Sequence, residues 1–356
     1  MAISRAVSLG TAVLALLPML WTSGCSKAGE SAVSAAEDGG PQSISVFAMD
    51  TYMQLTAYDG QKSAALSQAK DEVERLEKLW SVTDEGSEIY RLDHSGGEPA
   101  EISDETAELI AFGMELNELT GGAFDISLYP VLSEWGFTNG DYKIPSEERL
   151  SELLKNVDSS RIELSGNAAV LPNGMSIDLG ALGKGETGDR ITEIFRANGV
   201  SSALLDLGGN IQVIGSKPDG SPWKIGIKSP WGEGSVAKLE VRDCCVITSG
   251  GYERFFEGGD GEIYWHILDP KTGYPAKNGI LSATVIGKSG RLCDGLSTSL
   301  FVLGEEGAKK LWRERGDFDM ILITEDGRLI MTEGIAGEVS LYEEFSGLET
   351  EVMSRD

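Results

Sequence analysis

Apolar residues recur at helical spacing in the first half of this chain and alternate at strand spacing through much of the second. Between Lys62 and Trp80, the residues Ala65, Val73, Leu76, Leu79 and Trp80 share one helical face, which predicts a single long helix. Asp104–Leu119 reads as a second helix, stopped by Gly121-Gly122. Pro145–Asn156 reads as a third, with Ser146 as its N-cap and acidic residues in its first turn. Ahead of them, Ile44–Phe47 and Tyr52–Ala57 alternate as a strand pair.

From residue 160 onward strands dominate. The pattern predicts Arg161–Leu164, Met175–Leu179, Ala203–Leu207, Ile211–Gly215 and Trp223–Lys228. It continues with Ala237–Val241, Val246–Gly250, Tyr264–Leu268, Ser282–Gly287 and Met320–Thr324. Helices at Gly188–Asn198 and Asp294–Leu303 interrupt these strands, and another covers Glu306–Arg315. Elements in this mixed order point to an α+β domain over residues 44–350 rather than regular βαβ winding, and no internal repeat is present.

The N-terminus has a different character. Arg5 precedes an apolar run, Ala6 to Trp21, too short for a comfortable bilayer span, so residues 1–24 read as a signal peptide. The run ends in Thr22-Ser23-Gly24-Cys25, which resembles a lipobox, with Thr22 where Leu is usual. Cys25 is then the lipidation site, placing the protein on the extracytoplasmic face of the cell membrane; an ordinary secretory cleavage is the alternative. Residues 25–43, rich in Ser, Ala, Gly and Glu, read as a flexible tether.

Charge narrows the ligand classes. The chain carries a formal net charge of -27, which argues against nucleic acid, because phosphate binding needs a basic face. A dinucleotide is still admissible, provided a divalent cation, backbone N–H groups or a few placed Lys and Arg offset the field locally. Cys244, Cys245 and Cys293 remain after the leader is removed, an odd count that predicts buried thiols rather than a disulfide framework. No CxxC or HxxxH spacing occurs and the chain has only 2 histidines, so zinc chemistry is not expected.

Three stretches carry candidate chemistry. Asp178 to Gly188 follows an apolar run and opens a helix, and Gly183-Lys-Gly-Glu-Thr-Gly188 matches GxGxxG, with Asp206 at the end of the next strand. Alone, this reads either as a dinucleotide turn or as glycines permitting a tight strand-to-helix connection; bare glycines and Lys184 at a helix start suit a diphosphate in both cases. His266 lies on a strand ahead of the turn Asp269-Pro-Lys-Thr-Gly273, as either a hydrogen-bonded hairpin residue or a base. Asp294 and Thr298, four apart, share a helix face; they suit a hard cation such as Mg²⁺, or else an N-cap and a surface threonine. His94 belongs to a polar loop on the surface.

Taken in order, eight blocks resemble one family. They are Met49-Asp-Thr51, Ser87-Glu-Ile, Gly122-Ala-Phe-Asp125, Asp178 to Gly188, Asp206-Leu-Gly-Gly-Asn210, Thr248-Ser-Gly-Gly251, His266 to Gly273 and Asp294-Gly-Leu-Ser-Thr298. Together they look like the FAD:protein FMN transferases, the ApbE family, from about residue 44 to 325. The resemblance implies mixed and antiparallel sheets with flanking helices and an FAD cleft between subdomains. It implies that Met49, Ala123, Phe124, Asp125, Asp178, Lys184 and Leu268 line the FAD site. Thr83 belongs to the same set, standing where the family often carries an aromatic, with Trp80 nearby as an alternative ring for the flavin. The Ala181 carbonyl, the Asp294 carboxylate and the Thr298 hydroxyl are implied to hold Mg²⁺.

The implied reaction moves FMN from FAD to a Ser or Thr hydroxyl of a target protein, commonly a membrane redox subunit, and releases AMP. Phosphoryl transfer of this kind needs charge neutralisation and positioning, for which Lys184 and Mg²⁺ suffice, with His266 as general base. An unperturbed imidazole titrates at about 6.5, so transfer is expected to fade between about pH 7 and 6. An FAD pyrophosphatase using water, or a non-catalytic FAD-binding lipoprotein, are the other readings.

Overall fold

A computed structural model describes residues 39–355. Cys25 and the leader lie outside the described residues. The chain opens with the hairpin β1 (Gln42–Ala48) and β2 (Thr51–Ala57), then α1 (Lys62–Trp80), α2 (Glu88–Asp93), β3 (Ala100–Glu101) and α3 (Asp104–Leu119). Next come α4 (Tyr129–Trp135), α5 (Glu147–Leu153), β4 (Glu163–Ser165), β5 (Ala168–Val170) and α6 (Gly180–Ala197). Strands follow: β6 (Ala203–Leu207), β7 (Asn210–Ile214), β8 (Trp223–Lys228), β9 (Ser235–Val241), β10 (Cys244–Gly250), β11 (Phe255–Glu257), β12 (Ile263–Trp265) and β13 (Ile280–Gly287). The chain closes with α7 (Gly290–Glu314), β14 (Phe318–Thr324), β15 (Arg328–Thr332), β16 (Val339–Leu341) and β17 (Glu349–Met353).

The architecture is α+β. Nine strands form one sheet in the order β1-β2-β6-β7-β10-β13-β14-β15-β17, antiparallel throughout except for the parallel pair β15 and β17. Side chains on successive residues leave its two faces for different cores. On β14, Met320 and Leu322 join a core with Leu296, Leu300 and Phe301 of α7, whereas Ile321 and Ile323 join Ile225, Ile227 and Leu239 of the small β16-β9-β8 sheet. Burial on both faces is why this segment reads as a continuous apolar run. A third core packs β1, β2 and β6 against α1 and α6, and a fourth gathers Val131, Trp135, Phe137, Leu150 and Leu268.

Local signals explain the best-defined helices. α1 buries Ala65, Leu66, Ala69, Val73, Leu76 and Trp80 at helical spacing. The Ser103 side chain caps α3 by accepting from Thr106 N–H, acidic Asp104 and Glu105 follow at its positive end, and Gly121 and Gly122 at φ 61° and 80° end it. Ser146 caps α5, accepting from Arg149 N–H.

Elsewhere the structure departs from the pattern. Met175–Leu179 joins no ladder, and Arg161–Leu164 divides into a 3₁₀ turn, Ser159–Arg161, and β4. α6 begins at Gly180, not Gly188, so the glycines sit inside a helix rather than in a turn before it. The two helices expected after Asp294 are one, α7, broken only at Gly304 (φ 70°, ψ -178°). Strand β12 ends at Trp265, so His266 lies just past it.

Candidate active site

The site is built where α6 and α7 cross. A Cβ on Gly185 would lie 2.3 Å from the Gly290 carbonyl oxygen, and one on Gly290 would lie 2.4 Å from the Gly185 oxygen. The crossing therefore admits glycine alone at both positions. At this separation Gly185 N–H donates to Asp294 Oδ2 at 2.9 Å. In a regular helix that N–H serves the carbonyl four residues back, which here is Ala181. The Ala181 carbonyl and the Asp294 carboxylate thus share one neighbourhood, although 113 positions separate them. The glycine pattern of α6 is accordingly a helix-packing device, not a dinucleotide turn.

Asp294 is 4% exposed and has no ion-pair partner among the described residues. Burial pushes its carboxyl above the ordinary range, with Lys184, the Asn210 amide and Gly185 N–H pulling the other way. A buried carboxylate with no paired cation is costly, so this one is suited to a bound metal ion. Thr298, half-buried one turn later, adds a hydroxyl. A carboxylate, a hydroxyl and a carbonyl form an all-oxygen set that fits Mg²⁺, which keeps sites open for substrate phosphates. Asp294 is not the N-cap of its helix; Ser289 is, accepting from Leu292 N–H.

His266 lies in the field of the same Lys184 that acts on Asp294. Its Nδ1 lies 3.2 Å from the Arg254 carbonyl oxygen, and its backbone N–H donates to the same oxygen at 3.1 Å. A carbonyl only accepts, so Nδ1 carries the proton and Nε2 keeps a free lone pair. Burial, reinforced by the positive charges of Arg254 and Lys184, lowers the imidazole pKa to about 4. The ring is neutral at pH 7, and the titration near 6.5 expected from the sequence is corrected downward.

Asp178 completes the set. Its Oδ1 accepts from Gly180 N–H at 2.8 Å, at the positive end of α6, and burial raises its pKa against the pull of that N–H, Lys184 and Arg254. Lys184 is thus a charge felt by Asp178, Asp294 and His266 alike. Met49 sits in the β1–β2 turn at φ 50° with Asp50 at φ 57°, an uncommon conformation for residues with side chains. The turn is held by Met49 N–H on Glu77 Oε1 at 3.0 Å and by an Asp50–Arg254 ion pair.

Other expected residues contribute differently. Ala123, Phe124 and Leu268 are buried, so they shape the wall through packing and backbone. The Asp125 carboxylate is occupied by the Ser127 N–H and hydroxyl, Asn117 Nδ2 and Ser159 N–H. Thr83 is exposed after α1, with its N–H on Ser81 Oγ. Trp80 is buried, with Nε1 on Thr106 Oγ1 at 3.2 Å. His94 is exposed, as expected, and the three cysteines are free.

Sequence reasoning passed over four residues. Arg254 orients His266, and no spacing marked it. Asp93 accepts from Ile177 N–H at 2.8 Å beside Asp178, and burial pushes it up to about 8. Asn210 turns its buried amide toward Asp294, yet its Nδ2 makes no hydrogen bond of normal geometry. Ser249 meets the Thr298 hydroxyl. Asn210 and Ser249 belong to the Asp206–Asn210 and Thr248–Gly251 motifs, the signal that marks them along the chain.

Asp294 beside a glycine-on-glycine helix crossing, with Lys184 acting on it, on Asp178 and on His266, is an arrangement suited to phosphoryl chemistry. The ApbE family model matches residues 49–322. The FAD:protein FMN transferase of Treponema pallidum is 32% identical over 316 residues, covering 82% of this chain and 87% of that protein. The Vibrio cholerae protein of the same name is 33% identical over 242 residues, covering 66% and 72%. Among solved structures, the ApbE protein of Thermotoga maritima superposes with a TM-score of 0.75 at 30% identity, covering 87% of this chain and 99% of that one. The apo flavinyl transferase ApbE of Pseudomonas stutzeri gives 0.73 at 28%, covering 86% and 96%. This chain belongs to the ApbE family.

Proposed function

We propose that this chain is an FAD:protein FMN transferase that moves the FMN half of FAD onto a Ser or Thr hydroxyl of another protein. The observation that carries the reading is His266: its Nδ1 donates to Arg254, which leaves Nε2 ready to take a proton, in the field of the same Lys184 that faces Asp294. The acceptor oxygen attacks the phosphorus of the FMN half, and the bond from that phosphorus to the bridging oxygen breaks. AMP leaves with the bridging oxygen, the hydroxyl proton passes to His266 Nε2, and a phosphodiester joins FMN to the acceptor. Lys184 offsets charge on the diphosphate, and Asp178 at the start of α6 orients the nucleotide. A divalent cation held by Asp294, Thr298 and the Ala181 carbonyl supplies further positive charge against the phosphates.

The apolar leader ending at Cys25 supports a lipid-anchored enzyme on the extracytoplasmic face, acting on a membrane redox subunit. Incubating the mature chain with FAD, Mg²⁺ and a Ser/Thr-motif peptide tests the activity. Covalent flavin fluorescence on the peptide is the expected result. Free FMN and AMP with an unlabelled peptide indicate a pyrophosphatase, and FAD recovered intact indicates a binding protein; both overturn the proposal.

A further inference from the structure

Thr298 does not stand alone. Ser249, near the end of β10, places its Oγ 3.2 Å from Thr298 Oγ1 and 2.8 Å from Ser297 Oγ. Ser297 Oγ in turn donates to the Asp294 carbonyl oxygen at 2.8 Å. Three hydroxyls share three hydrogen bonds, and the last acceptor, a carbonyl, has no proton to give. The Ser297 proton is therefore spent on that carbonyl. The bond between Ser249 and Ser297 must use the Ser249 proton, and the bond between Thr298 and Ser249 must use the Thr298 proton. Only this order satisfies all three.

We infer that Ser249 is a positioning residue for the cation site: it draws off the Thr298 proton and leaves both lone pairs of that oxygen free for a metal ion. This rests on the reading that Asp294 and Thr298 hold a divalent cation. Hydrogen bonds in a chain polarise one another, so Thr298 Oγ1 becomes a better donor to a cation than an isolated hydroxyl. The chain also ends on the carbonyl of Asp294, so the residue supplying the carboxylate and the residue supplying the hydroxyl are locked into one arrangement. The backbone beneath Ser249 is held by the ladder that pairs it with Ala283 on β13, which fixes the height at which its hydroxyl meets α7. Ser297 is fully buried, whereas Ser249 and Thr298 are half-buried and face the site.

Mn²⁺ binding to the purified mature chain, followed by loss of the free-ion paramagnetic resonance signal with and without ADP as a diphosphate probe, tests this. Ser249→Ala is expected to weaken Mn²⁺ binding by roughly tenfold, the size found when an outer partner of a metal ligand is lost. Ser249→Thr keeps a hydroxyl on the same Cβ and should restore most of the affinity. Ser297→Ala, which takes away the acceptor for Ser249, should weaken binding in the same direction and serves if Ser249→Ala proves unstable by thermal melting. Wild-type Mn²⁺ affinity in Ser249→Ala, alongside a loss in Asp294→Ala and Thr298→Ala, overturns the positioning role and leaves the cation site intact. Unchanged affinity in Asp294→Ala and Thr298→Ala overturns the cation reading itself, and the inference with it.

Discussion

At the scale of single residues, His266 carries the sharpest expectation. Replacing it with Ala should leave FAD bound and slow transfer by roughly 10² to 10⁴-fold, the usual loss of a general base. Its folded pKa is lowered to about 4, so the neutral, proton-accepting form persists through pH 6. Single-turnover transfer should therefore stay level from pH 7.5 to 6 and decline only as pH approaches 4. A decline centred near 6.5 means that the ring is solvated rather than buried. Asp294, Thr298 and His266 were all legible as candidates, because residue type and spacing carry that information. The shift of the histidine was not legible, since burial and the charges of Arg254 and Lys184 arrive from remote parts of the chain.

At the scale of elements, α6 shows how packing overrides propensity. Three interior glycines weaken an isolated helix, each by about 1 kcal/mol relative to Ala, so the local pattern delays the helix to Gly188. Contact with α7 reverses this. Gly185→Ala should destabilise the fold by about 1–3 kcal/mol, since its Cβ meets backbone at 2.3 Å, and should weaken cation binding by displacing the N–H on Asp294. Gly183→Ala meets only the Trp80 ring at 3.7 Å and should be neutral or slightly stabilising. Thermal melts of the two variants separate close approach from simple helix propensity; equal effects would count against the crossing. After the break at Gly304, α7 is pinned to the sheet by Glu305, which bonds Lys309 Nζ and Arg328 Nη2 at 2.7 Å each, while Glu351 on β17 meets the same two cations. The Arg328 bond, ahead of burial, holds the Glu305 pKa down to about 2 from 4.5. An acid depressed in this way contributes stability above its unfolded pKa and loses it as pH falls toward the folded one. Glu305→Gln should thus cost about 1–2 kcal/mol at pH 7, with the gap to wild type closing between pH 4.5 and 2 in urea titrations.

For the whole molecule, the proposed leader and tether would set how the enzyme meets its target. No helix among the described residues is long and apolar enough to cross a membrane. Cys25→Ser should move the protein from the membrane fraction to the soluble one, and an unchanged membrane fraction ends the lipid-anchor proposal. Under the proposed function, a net charge of -27 leaves phosphate chemistry to a few local groups. The long α1 and α3 helices, most central strands and the chemical types at the site were readable along the chain, because amphipathic period, capping residues and ligand chemistry are local properties. The strands beyond residue 325 escaped notice, since β15 owes its place to a parallel partner, β17, that no short-range pattern announces. The start of α6, the single α7, the proton order from Thr298 to Asp294 and the neutrality of His266 depend on which distant surfaces touch. Those contacts are set by how helices and sheet faces fill a common core, and that is a property of the packed molecule.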